Sequence, residues 1–215
     1  MPDLSMSGTR ARRVITRSVH RVKGRFPSLK MGRTIHWESQ LERDLIYLLE
    51  FDPDVQAYRE QPTTLSLVVD GKSRRYTPDF LVQKPHGFYV VEVKPAEKAR
   101  QPEYVALFAA ATTSLQAMAA GFQILTEVDI RAQPRLDNIR LLLRYQRVDV
   151  PERVWPAIAG LLADGGKPAG VICDALADVG VDMATLAALT CRHRLHADLN
   201  APFDTGSLLC LSMEI

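Results

Sequence analysis

Five residues, Val90-Val91-Glu92-Val93-Lys94, constrain this chain more than any others. With Phe88 and Tyr89 before them they make an apolar, β-branched run, the pattern of a central strand covered on both faces. Side chains alternate along a strand, so Glu92 and Lys94 share one face while Val91 and Val93 share the other. A carboxylate buried there without a partner costs several kcal/mol, so Glu92 demands a cation.

A second acid sits in a similar setting. Tyr76-Thr77-Pro78-Asp79-Phe80-Leu81-Val82 places Asp79 at the entry to another apolar strand. A third comes from a helix predicted over 37–51, where Leu41, Leu45, Leu48 and Leu49 recur at helical spacing. On its wheel Glu42 falls between Leu45 and Ile46, inside the apolar arc. Glu38, one turn earlier, shares that face and competes for the same role. Glu50, Asp52 and Asp54 at the helix end read as solvated acids. Two readings stay open: an ion pair of Glu92 or Asp79 with Lys94 at a sheet edge, or a metal site. Hard oxygen ligands select Mg²⁺ or Mn²⁺, and such an ion activates a water and neutralises charge on a phosphate. The Lys94 ammonium would orient that water or stabilise the developing charge.

The surrounding pattern predicts an α/β fold, a mixed sheet flanked by helices. Strands are expected over 63–69 and 74–82 around the Asp70-Gly71 turn, and over 88–94 after Pro85-His86-Gly87. A helix over 102–120, a strand over 123–127 and a helix over 134–145 follow. Val150-Pro151 is the expected domain boundary. Beyond it, short helices over 154–163, 171–179 and 183–191 and a hairpin-like segment over 195–211 suggest a small winged-helix-like domain, 151–215. Trp155, spaced with Ile158 and Leu162, reads as core. Cys191, His193 and His196 lack the spacing of a zinc knuckle.

Charge is unevenly spread. Residues 1–36 carry nine Lys/Arg against Asp3 alone, and residues 151–215 carry four against eight acids. Residues 1–33 therefore read as a basic, flexible arm, either seeking a polyanion or merely solvated. The composition, 47% hydrophobic and 24% charged, suits a chain that buries a core. No apolar run is long enough to span a bilayer, no signal-peptide core opens the chain, and three cysteines make no disulfide framework. A cytoplasmic protein without membrane contact is expected.

Asp79 followed by Glu92-Val93-Lys94, with Pro78 before the aspartate, resembles the PD-(D/E)xK nuclease core. Five ordered blocks resemble more narrowly the TnsA endonuclease family, endonuclease subunits of Tn7-like heteromeric transposases. They are Glu38-Ser39-Gln40-Leu41-Glu42, Phe51-Asp52-Pro53-Asp54-Val55, Glu60-Gln61-Pro62, Tyr76-Thr77-Pro78-Asp79-Phe80 and Val91-Glu92-Val93-Lys94-Pro95. The resemblance spans residues ~34 to 130. It implies a restriction-endonuclease-like fold over 34–150, with Glu42, Asp79, Glu92 and Lys94 catalytic and Asp79, Glu92 and Glu42 holding Mg²⁺, for which Mn²⁺ substitutes. Glu38 and Gln61 are minor candidates. The implied activity is hydrolysis of the 5′ strand at transposon ends during cut-and-paste transposition. The implied partners are double-stranded DNA, a DDE transposase and an AAA+ ATPase regulator. The family's best-studied form has glutamine where this chain has Glu92, which follows the general nuclease pattern instead. Arg12, Arg13, Arg75 and Lys98 are the cations offered to DNA. Two alternatives remain: a stand-alone restriction, repair, junction-resolving or phage-encoded nuclease, and an inactive DNA-binding or assembly protein.

Overall fold

The computed structural model describes Met6 and residues 22–212. They divide into two compact units at Arg131–Ala132.

The first unit opens with an antiparallel hairpin, β1 (Gly24–Ser28) and β2 (Arg33–Trp37). This corrects the expected flexible arm over its last ten positions, 24–33. The apolar residues at alternate positions are few and lie among cations, but Ile35 and Trp37 are buried and Phe26 stands edge-on to Tyr47 at 5.2 Å. Arg12 and Arg13 lie outside the described residues. Helix α1 (Gln40–Phe51) begins after Ser39, whose hydroxyl accepts the Glu42 N–H, so Trp37 belongs to β2 and not to the helix. It stops at Asp52, because Pro53 disfavours a helical residue before it.

Glu50 overturns its reading as a solvated acid. It is 4% exposed and accepts from Ser28 Oγ (2.7 Å), the Leu29 and Lys30 N–H groups (2.8 Å each) and the Tyr58 hydroxyl (2.7 Å). Lys30 Nζ completes the clasp by donating to the Leu49 and Asp52 carbonyls at the helix end. The hairpin turn is thereby tied to the C-terminal end of α1.

Next come β3 (Ala57–Glu60), β4 (Leu65–Val69), β5 (Lys72–Tyr76), β6 (Phe80–Lys84) and β7 (Gly87–Val93). They are followed by α2 (Ala96–Ala99), α3 (Pro102–Gln116), β8 (Ala120–Leu125) and α4 (Glu127–Ile130). A four-stranded sheet runs β3-β6-β7-β8, antiparallel except for the parallel β7–β8 pair. The strand expected over 74–82 is two strands in two sheets. Pro78, without an N–H to give a ladder, ends β5, which among the described residues pairs only with β4, as a separate ribbon. Residues of α1 pack on one face of the sheet with Tyr58, Phe80, Val82, Val91 and Val93. Ala111 and Leu115 of α3 pack on the other with Leu65, Leu67, Leu81 and Val90. Cover on both sides is why β6 and β7 are so continuously apolar, and it makes the fold the mixed, helix-flanked sheet of restriction-endonuclease-like proteins.

The second unit holds α5 (Arg135–Arg144), α6 (Val154–Leu161), β9 (Lys167–Pro168), α7 (Ala169–Ala175), α8 (Met183–Cys191), β10 (Leu195–His196) and β11 (Leu208–Leu211). Its strand order β10-β11-β9, with helices between β9 and β10, is the winged-helix arrangement. The boundary lies before α5 and not at Val150-Pro151. The Asn138 amide explains why, donating to the Leu199 and Ala201 carbonyls at 2.8 and 2.7 Å. Thr185 through Cys191 of α8 are buried without a break. Trp155 is partly exposed, with the Arg194 guanidinium 3.8 Å from its ring centroid, and so is not core. Among the described residues no helix is long and apolar enough to cross a membrane.

Candidate active site

The β6–β7 register pairs Phe80 with Val91. Carried one position further, it sets Asp79 across from Glu92, so the two carboxylates come to the same face of neighbouring strands. The Val93 N–H holds Asp79 in place by donating to Oδ2 at 2.7 Å. The Asp79 carbonyl accepts the Gln61 N–H at 2.7 Å. Helix α1 brings the third acid. The Glu38 N–H donates to Glu42 Oε2 at 2.8 Å across the first turn. Glu38, Glu42, Gln61, Asp79, Glu92, Lys94 and Lys98 line one cleft of about 570 Å³.

Both Glu92 oxygens are engaged. Lys94 Nζ is 2.8 Å from Oε1, and the Tyr76 hydroxyl donates to Oε2 at 2.8 Å. The ion pair that strand alternation suggested therefore exists, but on an inner strand between β6 and β8 and not at an edge. Lys94 also lies 4.8 Å from the centre of the Tyr104 ring. Gln61 is buried and held at φ 44, a left-handed conformation rare outside glycine, and its amide reaches Glu38 Oε1 at 3.1 Å. Of the cations offered to DNA, Lys98 is exposed at the cleft and Arg75 is exposed on β5 beside Tyr76.

The electrostatics are those of a site short of positive charge. Burial, then the Glu92 and Glu42 charges, push the Asp79 carboxyl well above the usual carboxylate range, against the Val93 N–H and Lys94. Burial also raises Glu42, and the Glu38 and Glu92 charges add to it. For Lys94 burial works downward, yet Glu92 and Asp79 outweigh it and keep the ammonium protonated. Burial and the Glu92 charge raise Tyr76, which stays a donor.

Among the described residues no three His, Cys, Asp or Glu side chains are already arranged to hold a metal ion. The donor set nevertheless fits one. Asp79, Glu42 and Glu92 supply hard oxygens, they repel one another, and a divalent cation would relieve that repulsion. Sequence reasoning missed Tyr76 and Tyr104. Tyr76 carried a signal, standing two places before the Pro78-Asp79 pair, whereas Tyr104 sits in an ordinary helix and is placed only by the fold.

Residues 52–127 match the family described as TnsA-like endonuclease N terminal. The match takes in Gln61, Tyr76, Asp79, Glu92 and Lys94 and begins after α1, so Glu38 and Glu42 lie outside it. No curated protein matches the chain. Residues 52–127, which contribute Asp79, Glu92 and Lys94 to the acid-lined cleft, are thus similar to the N-terminal domain of TnsA-like endonucleases.

Proposed function

We propose that this protein is a Mg²⁺-dependent DNA endonuclease that cuts the 5′ strand at transposon ends. The convergence of Glu42, Asp79, Glu92 and Lys94 on one cleft carries the reading. Asp79, Glu92 and Glu42 would hold the cation, with Mn²⁺ as a substitute. A bound divalent ion supplies charge neutralisation at the phosphate and a more acidic water. The chain's own part is positioning and proton control. Lys94, kept protonated by Glu92, donates to the attacking water or to a non-bridging phosphate oxygen. Asp79 is fixed by the Val93 N–H, and Glu92 by the Tyr76 hydroxyl, so the carboxylates would meet the cation pre-oriented.

Choice of the target is assigned to partners: a DDE transposase that delivers the DNA ends and an AAA+ ATPase that regulates it. Two features of the second unit support this division. The unit, residues 132–215, carries ten acids against eight cations, a net negative charge that does not favour phosphate, and the imbalance lies in 151–215 with eight against four. Helix α8, placed as a recognition helix, has Thr185–Cys191 buried, and Arg192 is tied to the Gln146 and Val148 carbonyls. Calorimetric titration of the full chain with Mn²⁺ tests the core of the proposal without requiring partners. Binding by the wild type and its loss in Asp79→Asn are expected. A folded wild type that takes up no Mn²⁺ at millimolar concentration refutes the metal-dependent mechanism.

A further inference from the structure

Three carboxylates converging on the cleft repel the polyanion that the proposed reaction must bring there. The DNA backbone therefore has to be held from beside the site, by cations not already spent on protein acids. Among the described residues of the first unit Lys23, Arg25, Lys98 and Arg100 enter no ion pair, and neither do Lys72, Arg74 and Arg75, whereas Arg33, Arg43, Lys84, Lys94 and Arg131 do. Three of the unpaired cations lie together on β5, where Lys72, Ser73, Arg74 and Arg75 are exposed in succession and only Tyr76 turns in. The ribbon's own acid, Asp70, sits at its turn.

The register tells which way the ribbon faces. Leu67 and Val69 of β4 are buried, and Ser66 and Val68 look outward, Val68 being 71% exposed. Ser73 pairs with Val68 and Arg75 with Ser66, so hydroxyls, a small apolar side chain and a guanidinium form one outward face. Arg74 and Lys72, across from buried residues, remain exposed at the rim. From Lys72 to Arg75 the strand advances roughly 10 Å. Over that axial length a duplex strand presents about three phosphates. Chain continuity fixes the direction: Arg75 precedes Tyr76, whose hydroxyl touches Glu92.

We infer that the β4–β5 ribbon is the surface on which the duplex backbone lies as it enters the cleft, with Lys72, Arg74 and Arg75 holding phosphates. The inference rests on the nuclease reading proposed above. Cations on an edge strand also discourage strand association between molecules. Side chains serving that purpose alone leave DNA affinity unchanged when removed, and the experiment reads this contrast.

Binding of the full chain to a short duplex of arbitrary sequence is measured across a salt series without divalent cation, so that no strand is cut. The wild type is compared with a Lys72→Ala, Arg74→Ala, Arg75→Ala variant. Each lost phosphate contact makes the slope of log K against log salt shallower by about 0.9, so a total change of roughly 2.5 to 3 is expected. Affinity at about 0.1 M salt should fall on the order of 100-fold. The same loss of charge elsewhere, in Arg144→Ala, Arg147→Ala, Arg153→Ala, should leave the slope within about 1 of wild type. All six side chains are exposed, so thermal melts should coincide and show that each variant is folded. A wild-type slope in the ribbon variant, or an equal loss in the second-unit variant, overturns the inference while leaving the nuclease reading intact. A folded wild type without salt-dependent DNA binding overturns the nuclease reading itself.

Discussion

Glu50→Ala should be among the most destabilising single substitutions in the first unit, although nothing in its local sequence marks it. The carboxylate accepts four hydrogen bonds. Two of the donors, the Ser28 and Tyr58 hydroxyls, belong to residues 4% and 0% exposed, and alanine offers them no acceptor and little room for water. A buried donor left unpaired costs about 1–3 kcal/mol. The Leu29 and Lys30 N–H groups lie nearer solvent and recover part of their loss. The expected cost is about 4 kcal/mol, within the range for breaking a buried charged network. For a chain of this size that lowers the melting temperature of the first unit by roughly 8–16 °C. Differential scanning calorimetry reads it, with Asp54→Ala, an exposed neighbour, expected to change stability by less than about 0.5 kcal/mol. If Glu50→Ala melts within about 2 °C of wild type, the clasp is not what holds the hairpin to α1.

Three further outcomes concern the cleft. Asp79 and Glu42 keep their protons in the folded chain to a pH above the usual carboxylate range, so the native state binds more protons than the unfolded state from about pH 4 upward. Metal-free stability should therefore fall as pH rises from there through the raised values, and Asp79→Asn should flatten the fall and melt higher at neutral pH; an unchanged pH profile in that variant contradicts the assigned repulsion. Lys94→Met should hold Mn²⁺ within a few-fold of wild type yet cut DNA on the order of 100-fold more slowly, and an equal loss of metal binding would reassign the lysine. Tyr76→Phe removes the donor to Glu92 Oε2 and should weaken Mn²⁺ binding by about 10- to 100-fold without unfolding the chain, as titration beside a melting curve would report.

Asp79, Glu92 and Lys94 were legible in the sequence because charges in apolar strands violate the pattern that makes the strands recognisable. Glu42 was legible for the same reason on a helical wheel. Where charge is in the majority the signal fails: the β1–β2 hairpin hides Phe26, Ile35 and Trp37 among arginines and lysines. Strand β3 reads as polar because it buries Arg59 and Glu60, the latter paired with Arg33 at 2.8 Å. Glu50 sits where a helix end normally meets water, and only a hairpin distant in sequence turns it inward. The domain boundary was misplaced because Asn138, which binds α5 to the second unit, finds its partners more than sixty residues away.

The β6–β7 connection is two residues, Pro85 and His86, followed by Gly87 at φ 132. It lies at the far end of the strands from Asp79 and Glu92, some 20 Å by strand rise. Yet this short turn is the ruler that sets Asp79 across from Glu92. Strand side chains alternate, so a shift of one residue at the turn would send one acid to the opposite face of the sheet while every backbone hydrogen bond found a new partner. Such a protein would look folded and be empty of chemistry. The length of an exposed turn thus shapes the candidate site as much as the carboxylates it sets opposite each other.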